Sequence, residues 1–276
     1  MGRWFIAALA AAALIAVPSA TPQTVVGRTF LRTVELRPGS TKAFALTCPP
    51  AYVAVSGGVY RPAPGVATLS IRSTGPRSFL FRFGNPPSNP VRRTVVAVAC
   101  WRIAQGSSRL RLRAIKRPVT VNVGASSHRD VRVTCPPGTF AAAAGFDLGS
   151  AVNALALERE TQTFRAFAFR VVNRSSVART GSFRASCLTI LKPAGSSMQL
   201  RVSLTSETVS VDPGAQFVRR RCPAGWLALT AGYSLRAGLE LGGAAVALRE
   251  AHWSVASDAD GELPATFELA CSRVFS

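Results

Sequence analysis

Histidine is nearly absent from this 276-residue chain: His128 and His252 are the only two. No Cys-x-x-Cys pair occurs among the six cysteines, so the sequence argues against a zinc site. Acids are few, with 13 Asp and Glu against 33 Lys and Arg, and the net charge is +20. Lysine is also rare. Lys42, Lys116 and Lys192 are its three occurrences, which leaves 30 arginines. Gly-x-Ser-x-Gly, His-Glu-x-x-His, a phosphate-binding loop and a dinucleotide fingerprint are all missing, and with them the usual signatures of several enzyme classes. Only one long apolar run exists, from Trp4 to Val17. Its length of about 14 residues is too short to cross a bilayer core of about 30 Å. Arg3 precedes the run and Pro18, Ser19 and Ala20 follow it, so residues 1–20 read as an export signal. The mature chain is expected to be extracellular and free of any membrane anchor.

What the chain does have is internal repetition, the feature to seek first. Cys48-Pro49-Pro50, Cys135-Pro136-Pro137 and Cys222-Pro223-Ala224 are spaced 87 and 87 residues apart. Cys100, Cys187 and Cys271 follow at 52, 52 and 49 residues from their partners. Ten residues after each first cysteine stands Gly58, Gly145 or Gly232, with Tyr60, Phe146 or Tyr233 close behind. Tyr52, Phe140 and Trp226 form a further aromatic set. Phe79-Leu80-Phe81-Arg82-Phe83-Gly84-Asn85 returns as Phe167-Ala168-Phe169-Arg170-Val171-Val172-Asn173, and in the third copy only Trp253-Ser254-Val255 is kept. The units run over residues 21–105, 106–193 and 194–276. Their joints, Gln105-Gly106-Ser107-Ser108 and Lys192-Pro193-Ala194-Gly195-Ser196-Ser197, are turn-rich.

Apolar residues alternate with polar ones before most of the cysteines. Val96 and Val98 precede Cys100, Phe183 and Ala185 precede Cys187, and Phe267 and Leu269 precede Cys271. Period two is the strand signal, and it puts most of the cysteines on the apolar face; at Cys222 it is less clean, because Arg220 shares that face. The expected fold is all-β: three tandem small β-sandwich-like repeats of about 85 residues, each with one internal disulfide. The pairing is then Cys48–Cys100, Cys135–Cys187 and Cys222–Cys271. The alternative is one closed threefold β-body with permuted pairs Cys100–Cys135, Cys187–Cys222 and Cys48–Cys271. Closing a loop of about 50 residues contributes roughly 4 kcal/mol in the chain-entropy model, which a small core needs.

Cys135-Pro-Pro-Gly138 … Gly145-Phe146 … Cys187 and Cys222-Pro-Ala-Gly225 … Gly232-Tyr233 … Cys271 resemble units in repeat-containing exported proteins of actinobacteria. Copy one departs from the pattern with Ala51 in place of the glycine. The resemblance implies a secreted β-domain and brings no activity or site residues with it. An immunoglobulin domain has similar cysteine spacing. Here, however, Val98, Ala185 and Leu269 stand where that fold has its corner tyrosine.

His128 falls in a polar stretch with Asp130, and His252 precedes Trp253; both read as ordinary surface or strand histidines rather than general bases. Asp258, Asp260 and Glu262 around Gly261 could suggest a calcium loop, but the remaining ligand positions are missing and an acidic hairpin turn is the simpler reading. No catalytic, cofactor or metal residues are assigned.

Charge is the informative functional feature. Residues 22–117 carry a net +15, residues 118–204 a net +6 and residues 205–276 a net −2. Such asymmetry is the footprint of a polyanion-binding end. Arg109, Arg111 and Arg113 alternate with Leu110 and Leu112, so on a strand they line one face at about 7 Å intervals. Arg72, Arg77, Arg82, Arg92 and Arg93 complete the candidate set. The expected function is a secreted, non-enzymatic binding or envelope-associated protein that contacts an anionic cell-wall or extracellular polymer. A protein-binding adhesin or inhibitor using Tyr52, Phe140 and Trp226 is one alternative, and a secreted hydrolase on a β-scaffold is another.

Overall fold

The computed structural model describes residues 25–104, 108–114, 118–149, 154–196 and 198–275. The export segment, residues 105–107 and Ser197 of the joints, and the side chains of Leu112, Arg113 and Ala114 lie outside that description. Every regular element among the described residues is a strand. The first set is β1 (Val25–Leu36), β2 (Thr41–Thr47), β3 (Val53–Arg61), β4 (Ala67–Gly75), β5 (Ser78–Gly84) and β6 (Arg92–Ile103). The second is β7 (Arg109–Ala114), β8 (Val119–Val123), β9 (His128–Thr134), β10 (Phe140–Asp147), β11 (Leu155–Gln162), β12 (Ala166–Asn173) and β13 (Arg179–Leu191). The third is β14 (Gln199–Val211), β15 (Gly214–Arg221), β16 (Leu227–Ser234), β17 (Leu239–Ala247), β18 (Glu250–Ser257) and β19 (Leu263–Phe275).

One strand order recurs in all three sets. With β7 and β8 counted as two halves of one first strand, the last strand of a set lies in one layer between the first and the third: β1-β6-β3, β7/β8-β13-β10, and β14-β19-β16. In the other layer the order is β2-β5-β4, β9-β12-β11 and β15-β18-β17. All pairing is antiparallel. Phe79, Phe81 and Phe83 lie at period two on β5 and are at most 1% exposed; Phe167 and Phe169 on β12 and Trp253 and Val255 on β18 do the same work. These side chains fill the space between the layers, which meet face to face as in a sandwich.

The disulfides join the layers as Cys48–Cys100, Cys135–Cys187 and Cys222–Cys271, with Cα–Cα distances of 5.8, 5.7 and 5.7 Å. This is the internal pairing, and the permuted set does not form. Three such bonds suit an extracellular or otherwise oxidising location.

The sheets do not stop at the edges of a set. β4 hydrogen-bonds to β10, with Ile71 opposite Phe146, and β11 hydrogen-bonds to β16, with Glu160 opposite Tyr233. At the third junction β3 lies against β17, where Gly58 faces the backbone of Ala244. The chain therefore closes on itself while its cysteines pair internally. Closure comes from the third strand of each set meeting the fourth strand of a neighbouring set, and it needs no cystine.

The repeated glycine sits at this junction. A Cβ on Gly232 would stand 2.8 Å from the Glu160 carbonyl oxygen, and one on Gly58 would overlap the Ala244 carbonyl. Phe146 and Tyr233 follow their glycines directly into the core, but in the first set Val59 takes that place. Tyr60 instead packs edge-on against His252, with ring centroids 5.0 Å apart.

Bulges recur with the same regularity. On the third strands the unpaired residues are Val55, Ala142 and Leu229, all 0% exposed and gathered in one apolar cluster with Trp101 and Leu188. On the fourth strands they are Leu69, Glu158 and Gly242. A bulge flips the facing of the residues beyond it and bends its strand.

Candidate functional site

The candidate arginines lie in several places. β7 is an edge strand paired with β13, and Arg109, Arg111 and Arg113 stand opposite Leu191, Thr189 and Cys187. Arg109 and Arg111 thus share one face of β7. Arg109 and Arg111 are exposed, while Leu110 on the other face is buried. By its hydrogen bonds β7 belongs to the second set, so this stripe is separate from the basic first set.

Arg72 and Arg82 lie on the opposite face of the same sheet, because Arg82 pairs with Ser70 and Ser70 with Asp147. Arg82 is ion-paired to Asp147 at 2.7 Å and donates to the Gly149 carbonyl. Arg93 faces Glu35 at 3.2 Å with most of its side chain in solvent. Arg92 is half-buried at the start of β6.

Arg77 serves the fold. Its Nε donates to the Cys48 carbonyl, and the Cys48 amide donates to the Arg77 carbonyl. Arg165 does the same at Cys135 and Arg249 clasps the turn at Cys222 and Pro223. Each arginine sits between the fourth and fifth strands of its set. The signal was present in the sequence as arginines 88 and 84 residues apart.

The first strands of the other two sets carry arginines at matching edges. Arg28 and Arg102 lie 5.9 and 5.4 Å from the Tyr52 ring centroid. Arg201 and Arg273 stand opposite each other on β14 and β19 and flank Phe275 at 4.8 and 4.9 Å. An aromatic face holds a guanidinium by cation–π attraction while leaving its N–H groups free. None of Arg28, Arg102, Arg109, Arg111, Arg201 and Arg273 has a carboxylate partner among the described residues.

The aromatics considered for protein binding are occupied in packing. Tyr52 is 7% exposed, and Phe140 and Trp226 are half-buried, with Trp226 edge-on to Phe275. His128 is exposed at the start of β9, and the neighbouring Asp130 is engaged by Arg159 and Arg170. The Arg170 hydrogen bond holds the Asp130 carboxyl below its usual range. Burial lowers the pKa of His252, opposed by Glu250 at 3.3 Å. In the acidic turn Glu262 accepts a hydrogen bond from Ser210.

Sequence reasoning missed a cavity of about 230 Å³ where the third and fourth strands of all three sets converge. Its walls include Leu69, Ile71, Phe146, Leu157 and Val246. It reaches the surface beside Arg174, Glu240 and Gly242, which are exposed; Arg174 and Glu240 form an ion pair at this rim. Glu160 and Tyr233 line it, and the bulge residue Glu158 adjoins it while its charge bears on Arg170. Glu160 lies deep enough that burial, aided by the like charge of Glu268, pushes its pKa up to about 8. Burial also raises the Tyr233 phenol, with Glu160 adding to the effect. Burial raises Glu268, whose Oε2 accepts the Gln162 amide at 2.9 Å.

No protein-family model matches this chain, and a comparison with curated proteins finds no match.

Proposed function

We propose that the chain is an exported, non-catalytic binding protein that holds an anionic polymer of the cell envelope or its surroundings along arginine-bearing edge strands. The observation that carries this reading is the pair Arg109 and Arg111. They are exposed on one face of an edge strand and have no acid partner among the described residues. Guanidinium forks spaced about 7 Å apart on a strand suit the spacing of phosphates or carboxylates along a polymer. Arg28 with Arg102, and Arg201 with Arg273, extend the same chemistry to the other two edges. The high ratio of arginine to acid supplies the long-range attraction.

The test uses the full chain, because the sheets are shared between sets. Binding to heparin, wall teichoic acid and DNA is measured from about 50 to 200 mM salt, where counterion release gives a steep slope. Arg109→Ala with Arg111→Ala should weaken binding and flatten the salt slope by about two, one for each phosphate that is no longer neutralised. No binding at low salt, or an unchanged slope in the double variant, would sink the proposal.

A further inference from the structure

The cavity where the third and fourth strands converge differs from its surroundings in one chemical respect. Three fourth strands line it in the same way, and their matching positions can be compared directly. The bulge residue is Leu69 on β4, Glu158 on β11 and Gly242 on β17. The residue that stands at the junction with the next third strand is Ile71, Glu160 and Ala244. Two sets keep both positions apolar; one has acids at both, and of these Glu160 lies on the inner side of the sheet, opposite Phe169. This happens in a chain with only 13 acids and a net charge of +20.

The charge of Glu158 bears on Arg170, whereas the Glu160 carboxyl, opposite Phe169 on the inner side of the sheet, has no hydrogen-bond or ion-pair partner among the described residues. Beside Glu160, Tyr233 is 2% exposed, lines the same space, and its hydroxyl has no hydrogen-bond partner among the described residues. An apolar cavity with a few unpaired polar groups on one wall is the usual form of a small-molecule site. The basic residue nearest the opening, Arg174, is committed to Glu240.

We infer that this cavity binds a compact apolar amine, its ammonium placed at Glu160 with the Tyr233 hydroxyl alongside, and its hydrocarbon body against Ile71, Phe146 and Leu157. A cavity of about 150 Å³ accepts benzene, so this one accommodates a phenyl ring with a short aminoalkyl chain. An acid or an alcohol of the same shape would leave the carboxyl wall repelled or uncompensated.

The charged groups that face or adjoin Glu160 set the pH behaviour. They are Glu158 on its own strand, Tyr233 on β16, Glu268 on β19, Arg159 tied to Asp130 on the other side of β11, and the Arg174–Glu240 pair at the rim. The free protein keeps a proton on Glu160 at neutral pH. An entering ammonium takes the place of that proton, which leaves to buffer as the carboxylate pairs with the cation. Affinity therefore rises with pH up to about 8, and each amine bound releases up to one proton.

The experiment is calorimetric titration of the full chain with phenethylamine at pH 6 and pH 8, in two buffers of different ionisation enthalpy. Phenylethanol and 3-phenylpropionate are the neutral and anionic controls. One amine per chain is expected, at least tenfold tighter than either control, with tighter binding at pH 8 and a buffer-dependent heat. Glu160→Ile installs the residue found at the matching position of the first set and should lose the preference for the amine. Glu160→Gln keeps the shape and should lose the proton release, and thermal unfolding of both variants confirms that they fold. Equal binding of all three molecules, unchanged amine binding by both variants, or no amine binding at millimolar concentration would each overturn the inference.

Discussion

Ile71 and Glu160 occupy the same place at two junctions: each stands opposite the aromatic that follows the junction glycine, Phe146 in one case and Tyr233 in the other. One is a hydrocarbon and the other an acid whose pKa lies at about 8 instead of the ordinary 4.5. The folded chain holds the Glu160 proton up to about pH 8, whereas the unfolded chain releases it above about pH 4.5. Between those values the folded state binds more protons, so stability falls as pH rises. This group alone gives a slope of at most about 1.4 kcal/mol per pH unit, levelling off above about pH 8. Thermal unfolding of the wild type should drop between pH 5 and pH 8, and Glu160→Ile should remove most of that drop. Equal pH dependence in the two proteins would show that Glu160 ionises normally.

Ala51 takes the position that Gly138 and Gly225 hold in the other Cys-Pro turns. Its φ is 67°, beside 74° and 78° for the glycines. An alanine in left-handed conformation carries a steric cost of roughly 1–2 kcal/mol. Ala51→Gly relieves this but loosens the unfolded chain, so a net gain of about 0.5–1 kcal/mol is expected in denaturant unfolding. A loss of stability would mean that the alanine methyl makes contacts that outweigh the strain.

The junction glycines should differ in tolerance. A methyl on Gly58 meets the Ala244 carbonyl and the Ala245 Cα, which are backbone atoms that cannot swing aside, whereas one on Gly145 comes only to 3.4 Å from the Arg72 Cα and the Ile71 carbonyl oxygen. Gly58→Ala should cost about 1–3 kcal/mol, the usual penalty for overpacking. Gly145→Ala should cost less than about 1 kcal/mol. Urea titration of both variants gives the comparison, and an equal cost would mean that β3 and β17 do not approach each other so closely.

Much of the fold could be read from spacing alone. The repeated cysteine intervals favoured the internal pairing over the permuted one, and the alternation around Arg111 put Arg109 and Arg111 on one side of a strand. The cavity could not be read in this way, for a definite reason. In Leu155-Ala156-Leu157-Glu158-Arg159-Glu160, strict alternation sends Glu160 to the side opposite Leu157 and into solvent. The bulge at Glu158 shifts the register by one, so Leu157 faces Val171 and Glu160 faces Phe169 across β12. Both end on the inner side of the sheet. Likewise, Arg77 reads as a surface charge in the sequence, yet the hairpin brings its side chain to the Cys48 carbonyl. Tyr60 groups with Phe146 and Tyr233 by spacing, but the second irregularity of β3, between Val59 and Arg61, goes with its different setting.

The contact of β3 with β17 has a consequence for how the protein is made. The two strands are separated by β4 to β16, so the flank of β3 finds its neighbour only after Leu239–Ala247 has been made. Until then the first set has an open strand flank, the kind of surface that recruits a stranger's strand. Pairings so distant in sequence also slow the final step of assembly. A truncated chain ending before Leu239 would leave that flank open permanently, and one missing set would cost the molecule its closure as well as a third of its length.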